Sequence, residues 1–289
     1  MKCDNCGQEN AVGSKFCTWC GNELPMASAD SPMGRRDLGQ LISYTFELYR
    51  NNFQKFFLLA LPIALVNILP AFVFTDLIDP NTIQDDESLE EFLDQFGTFF
   101  GAIFSLVVIS GVIGLFVQGA VSHAVGTHYS GKQINVTNSY FRSLSNILAL
   151  IVAMILVFLA LAISFPLMIF FIGIPLAIFI AISFAFVVPI VMLEGAGPID
   201  ALQRSYNLVK GSRMRVLGIG IVFILLVICL NIPFSLISLI VGDSSLAVET
   251  VITAIGQVLI TPVTGIGLTV VYFDLRIKRE GELVPEEGA

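Results

Sequence analysis

Polar and apolar positions divide this chain into a short polar, cysteine-bearing start and a long series of apolar runs. From Phe56 onward the runs reach the ~20 residues that a helix needs to cross a bilayer's hydrocarbon. Six spans are expected, at about 56–74, 99–121, 147–166, 175–193, 216–240 and 251–273. The third and fourth come from one apolar run, 147–193, that is too long for a single helix. It is expected to break around Pro166 and the Gly173-Ile174-Pro175 turn. No Asp, Glu, Lys or Arg falls inside any of the six. Asn67, Gln118, Asn231 and Gln257 are the polar residues within them, and hydrogen bonds between helices are their expected role.

The segments between spans carry a different period. Leu38, Leu41, Ile42, Phe46 and Leu48 or Tyr49 follow helical spacing. Ser43-Tyr44, Ser139-Tyr140 and Ser205-Tyr206 each sit in an amphipathic stretch that runs into an odd-numbered span. This suggests a threefold repeat of interfacial helix, span and return span. Pro198 suits the first turn of such a helix, with Gly197 at its cap. The acidic stretch 85–96 has a capping-box spacing from Ser88 to Glu91 and an apolar face of Leu89, Phe92, Leu93 and Phe96. An amphipathic helix resting on the outer membrane face is expected there.

Composition strengthens this picture. Hydrophobic residues make up 55% and charged residues 13%, with a mean hydropathy of +0.84. A soluble domain carries about a quarter charged residues, so a soluble enzyme, a disordered chain and an ordinary basic nucleic-acid-binding domain are excluded. The net charge of −8 conceals a segregation: eight of the 23 acids lie between Asp76 and Asp94, where there is no Lys or Arg. The 13 basic residues outside the first 24 positions fall in segments 35–55, 126–146, 194–215 and the tail, which a six-span topology places on one side. Both termini are therefore expected in the cytosol, in the cytoplasmic (inner) membrane. The polar start, with no apolar core of signal-peptide length, agrees with this.

Five cysteines are present. Cys229 stands alone in an apolar run and reads as a small apolar filler. Cys3-x-x-Cys6 and Cys17-x-x-Cys20 form two pairs, each followed by glycine (Gly7, Gly21). A two-residue spacer aims both thiolates at one ion, and four thiolates make the closed tetrahedral set of a structural Zn²⁺ site. Two local disulfides, a redox pair, or iron in place of zinc remain open on the residues alone. So short a segment would draw its folding energy from the metal, with Phe16 and Trp19 expected to pack over it.

The residues CDNCG at 3–7, Asn10 and KFCTWCG at 15–21 resemble the short zinc-ribbon family, whose members serve as structural or protein-interaction modules. The region 38–283 resembles the membrane-domain family named after glycerophosphoryl diester phosphodiesterases. That resemblance is carried by PIVMLE at 189–194, Gly197-Pro198, ALQRS at 201–205, VKG at 209–211 and VYFDLRIKREG at 271–281. The few residues after that phrase leave no room for the ~250-residue phosphodiesterase barrel. The resemblance therefore implies a multi-span helical module and not the hydrolase activity.

The expected fold class is an all-α polytopic membrane protein, six transmembrane helices plus interfacial amphipathic helices, with a small N-terminal β zinc ribbon. Its parts are a ribbon at 1–24, a linker at 25–36, the membrane domain at 37–283 and a tail at 284–289. The metal ligands are expected to be Cys3, Cys6, Cys17 and Cys20, holding structural zinc. The expected partners are the lipid bilayer and a cytosolic or membrane protein engaged through the ribbon, with no nucleic acid. The expected role is that of an interaction, regulatory or scaffold protein; the alternative is a transporter or lipid-handling protein. A transporter predicts a mid-depth cavity lined by Asn67, Gln118, Asn231 or Gln257. An enzyme, which is not expected, predicts Glu194 clustered with His123 or Asp274. The basic residues Arg204, Lys210, Arg213 and Arg215 form a band suited to topological anchoring or to anionic headgroups.

Overall fold

A computed structural model describes residues 6, 8, 19–20, 36–68, 89–241 and 246–280. Among these residues there are helices and turns but no strand. Helix α1 (Leu38–Asn51) leads into α2 (Phe53–Ala60), and helical turns resume over 62–68 after a break at Leu61. Pro62 follows that break, at a first turn where its missing N–H costs nothing. The next helices are α3 (Leu89–Tyr129), α4 (Val136–Ser145), α5 (Ile147–Leu167), α6 (Gly173–Ser183) and α7 (Val187–Glu194). The last three are α8 (Pro198–Val209), α9 (Arg213–Val241) and α10 (Leu246–Glu280).

Five segments are long and apolar enough to cross a membrane: Gly97–Tyr129, Ile147–Leu167, Gly173–Glu194, Arg213–Ser238 and Val248–Glu280. The chain is thus a multi-pass, helical membrane protein. Bulky apolar side chains such as Phe104, Phe158, Ile163 and Ile224 stand outward on these segments. In water such a surface would drive association; against lipid it is the solvent-matched face. The first expected span, 56–74, leaves the described residues after position 68.

Two differences from the expected pattern have clear physical causes. Helix α3 is continuous for 41 residues, about 60 Å at 1.5 Å per residue. The amphipathic stretch that begins at Leu89 is therefore the start of the spanning helix, not a separate surface helix. Then Gly173–Glu194 contains a second break, at 184–186, between α6 and α7. Pro189 sits in the first turn of α7, where no intrahelical donor is needed. Ser205 of α8 fills the gap: its Oγ donates to Ser183 O at 2.8 Å and accepts from Phe186 N at 3.3 Å. Backbone groups exposed by the break are thereby satisfied within the protein, the condition for an interrupted helix in a bilayer.

The break at the end of α5 falls where expected. A 3₁₀ turn (Met168–Phe170) and Phe171, at φ 57°, reverse the chain before α6. Pro233 and Pro262 lie inside unbroken helices.

Helix α10 is the hub, packing against α1, α2, α3, α7, α8 and α9. Its inward residues Ile266, Val270, Tyr272, Phe273 and Leu275 are almost fully buried. The amphipathic segments take two forms. Helix α4 runs antiparallel along α3: Ser143 Oγ donates to Phe116 O at 2.6 Å and Tyr140 stacks on Phe116. Helix α8 packs over the α6–α7 break. Ser139 and Ser205 are buried equivalents in these two helices, but in α1 Ser43 is exposed and Thr45 is the buried residue. The serine–tyrosine repeat therefore holds in two of its three copies.

Candidate functional site

The polar chemistry of the described bundle collects at one end, where two of the loosely patterned sequence phrases meet. Glu194 closes α7, and the chain leaves through Gly195 in the left-handed conformation (φ 65°), the usual glycine-favoured helix stop. Gly197 then caps α8 and Pro198 occupies its first turn, as the sequence suggested. Two turns on, Arg204 faces back toward Glu194. On α10, Tyr272, Arg276 and Glu280 recur every four residues and so share one face.

These five side chains close a ring. Arg204 Nε donates to Glu194 Oε2 at 2.9 Å, and Arg204 Nη2 donates to Glu280 Oε2 at 2.7 Å. Arg276 Nε donates to the same Glu280 oxygen at 3.2 Å, and Arg276 Nη1 to Tyr272 Oη at 3.4 Å. Tyr272 Oη donates to Glu194 Oε1 at 2.6 Å. Two cations balance two anions, each charge has a partner of opposite sign, and Arg276 is only 5% exposed. The hydrogen bond to Glu280, supported by Glu194, raises the Arg204 guanidinium above its ordinary value.

A second cluster ties down the segment before α1. The Arg36 backbone N–H donates to Asp274 Oδ1 at 2.9 Å, and Asp274 Oδ2 lies 2.9 Å from Arg215 Nη2. Arg215 Nη2 also donates to Arg36 O at 2.7 Å. The Arg36 side chain donates to Tyr129 Oη at 2.7 Å and lies 3.8 Å from the centre of the Tyr44 ring. Burial pushes the Tyr44 phenol up. Asp274 is 2% exposed and thus links the start of the membrane domain, α9 and α10 at one buried carboxylate. Nearby, Lys278 Nζ donates to Ser212 Oγ at 3.2 Å, and the Arg279 guanidinium donates to the carbonyls of Asn207 and Lys210.

The residues flagged as an enzyme test are not brought together by hydrogen bonds. Glu194 serves Arg204 and Tyr272, Asp274 serves Arg36 and Arg215, and His123 Nδ1 lies 3.2 Å from Ser139 Oγ. Two of the four polar residues expected inside spans are satisfied locally. Asn67 Nδ2 donates to Ile63 O and Asn231 Nδ2 to Val227 O, each within its own helix rather than across helices. Asn231 and Gln257 do line an open cavity of about 450 Å³ between α9 and α10, together with Ser235 and apolar neighbours. Cys229 is exposed on α9.

Of the expected zinc ligands, Cys6 and Cys20 are described, both in turns and exposed, whereas Cys3 and Cys17 lie outside the described residues. Among the described residues no group of three or more His, Cys, Asp or Glu is placed to hold a metal ion. Trp19, expected to pack, is 79% exposed in the turn it shares with Cys20. Phe16, the linker at 25–35, the acidic stretch 76–88 and the tail after 280 also lie outside the described residues. Comparison with protein-family models, with curated proteins and with solved structures finds no match to this chain.

The Glu194–Arg204–Glu280 ring and the Asp274 link could not be read from spacing. Their partners lie 76, 78 and 238 positions apart in the chain. The available signal was the charge-rich VYFDLRIKRE phrase following an otherwise uncharged run.

Proposed function

We propose that this chain is a membrane-anchored interaction protein of regulatory or scaffold type, in the cytoplasmic membrane. A four-cysteine zinc ribbon is its recognition module and the helical bundle its anchor. The observation that carries this reading is Trp19: an indole 79% exposed beside Cys20 is a ready contact for another protein. Cys3, Cys6, Cys17 and Cys20 are the donor set for zinc, and when bound the ion would supply a closed structural cross-link with no open coordination position. The resemblance of 3–21 to interaction-type ribbons, and of the bundle to the membrane-domain family, agrees with this division of labour.

Orientation follows from charge. The described basic segments, around Arg36, Arg204, Arg215 and Arg276, are bonded to one another at one end of the bundle. The positive-inside rule assigns that end to the cytosol, where ribbon thiols stay reduced. No catalytic role is proposed, since Glu194, Asp274 and Glu280 at that end are each engaged by arginines.

The test is a paired affinity capture from native membranes. Full-length protein is compared with a chain lacking residues 1–34, and co-purifying proteins are identified by mass spectrometry. Specific proteins lost with the ribbon support the proposal; an identical set in both captures refutes it. Metal analysis of the full chain is expected to find bound zinc that disappears in Cys3→Ser/Cys17→Ser.

The alternative, a lipid-handling role, is favoured by one observation: a basic pocket lined by Arg213 and Arg215 is followed along α9 by an apolar cavity that begins at Val216.

A further inference from the structure

Just beyond α8 the chain turns through Gly211 and Ser212 into α9, and a cavity of about 410 Å³ opens there. Its lining is strongly basic, with Arg213, Arg215 and Lys278 beside Ser212 and Met214. Asp274 offsets the charge of Arg215 at 2.9 Å. Arg213 and Lys278 face no carboxylate within ion-pair distance among the described residues, so the pocket keeps an excess of positive charge.

The Arg213 guanidinium lies against two rings that meet edge-on, 4.5 Å from the centre of Phe179 and 4.9 Å from that of Tyr206. Cation–π contact of this kind satisfies none of its N–H donors. Arg213 Nε and Nη2, and Arg215 Nη1, are buried and bond no acceptor among the described residues. Charged donors in that state are rare and costly, and oxyanions are their best complement.

A second cavity, of about 310 Å³, begins one residue further along α9. Val216, Gly220, Phe223 and Ile224 line it from α9, and Ile182 and Leu268 from α6 and α10. Its volume falls within the usual range for ligand sites, ~300–1,000 Å³. Arg213 lies about one helical turn before Val216 of the apolar wall, and Phe179, against which its guanidinium packs, neighbours Ile178 of the same wall. From Arg213 to Ile224 the helix rises about 16 Å, close to one leaflet's share of a ~30 Å hydrocarbon core.

We infer that the α6–α9–α10 crevice is a binding site for one anionic glycerophospholipid, its phosphate-bearing headgroup at Arg213 and Lys278 and an acyl chain in the apolar cavity. Charge selects the occupant. A neutral apolar ligand would leave the two cations unmatched, and a zwitterionic headgroup would bring a cation of its own to them. A free anion would use the basic pocket but not the cavity. This site does not depend on the ribbon's role.

Native mass spectrometry of the full-length protein in mild detergent tests the site, with dioleoyl phosphatidylglycerol and dioleoyl phosphatidylcholine supplied in equal amounts. Wild type is expected to retain phosphatidylglycerol about tenfold over phosphatidylcholine, the scale of one charge-assisted contact. Arg213→Gln/Lys278→Gln is expected to abolish that preference, and Arg213→Lys/Lys278→Arg to keep most of it. A Cβ at Gly220, which lines the cavity, or at Gly218, which does not, meets nothing within 4 Å. Gly220→Leu is therefore expected to fill the cavity and lower retention of both lipids about tenfold, with Gly218→Leu like wild type. If the glutamine variant fails to fold, the two glycine variants still decide. Equal retention of both lipids by wild type, or full retention by Gly220→Leu, overturns the inference. Displacement of the lipid by inorganic phosphate at millimolar concentration also overturns it, and assigns a free-anion pocket instead.

Discussion

The charged end of the bundle and its apolar length solve the same problem in opposite ways. At the charged end, polar side chains reach across the chain: Tyr272 to Glu194, Arg204 to Glu280, Arg36 to Asp274. Along the apolar length several turn back on their own helices, as Asn67, Ser105, Asn231 and Thr253 do toward carbonyls four residues earlier, while Thr269 Oγ1 also reaches across to Ser122 Oγ at 3.1 Å. Contacts between helices there depend on close approach. A Cβ on Gly265 would come within 2.8 Å of Val121 Cγ1, and one on Gly267 within 2.1 Å of the Phe223 ring. The difference teaches that this bundle is registered by ionic contacts at one end and by close packing with a few neutral hydrogen bonds along its length. Lipid tails are as apolar as leucine, so burial alone sets no register between helices, and small residues or polar contacts must do so.

Substitutions at the two regions should separate these contributions. The largest effect is expected at Asp274→Ala, which leaves Arg215 and the Arg36 N–H without their buried acceptor. Removing one partner of a buried pair typically costs about 3–5 kcal/mol. Thermal unfolding in detergent would show this, with Asp274→Asn recovering part because it retains an acceptor for the Arg36 N–H.

Next comes Gly267→Ala, which forces the Phe223 ring aside. A loss of about 1–3 kcal/mol in the same assay is expected for overpacking. An unchanged melting profile would mean that α9 and α10 do not rely on this approach.

The ring should give a smaller, cooperative signal. A double-mutant cycle on Glu194→Gln and Arg204→Gln is expected to return a coupling of about 0.5–3 kcal/mol. The lower half is favoured because the Arg204 side chain is 33% exposed and partly screened. Additive losses would show that Glu194 and Arg204 act independently.

The smallest effect belongs to Asn231→Leu, within about 0.5 kcal/mol, since its hydrogen bond stays within one helix. A large loss would place Asn231 in a contact between helices and weaken the contrast between the two regions.

Much of the fold was legible because hydrophobic length is a one-dimensional property. The reversal near Pro166–Pro175 and the Gly197-Pro198 helix start follow from local backbone rules. The break at 184–186 was not legible, because Ser183, Phe184 and Ala185 are ordinary helix residues in an apolar run. Ser205, 22 positions after Ser183, is what satisfies the opened backbone. The candidate lipid site was half legible: the basic residues of 204–215 stood out as a band, but nothing in their spacing aligned Arg213 with Phe179 or with an apolar cavity.

By itself, the sequence determined that this is a helical, multi-pass membrane protein, that its chain reverses near Pro166–Pro175, and which segments carry positive charge. Those properties depend on transfer free energy and backbone rules summed over neighbouring residues. Tertiary structure alone decided which charges pair, that Asp274 and Glu194 belong to separate clusters, and that Arg213 keeps unsatisfied donors about one helical turn before an apolar cavity. Pairing and cavities depend on distances between residues far apart in the chain, and those distances exist only once α10 has gathered the other helices around it.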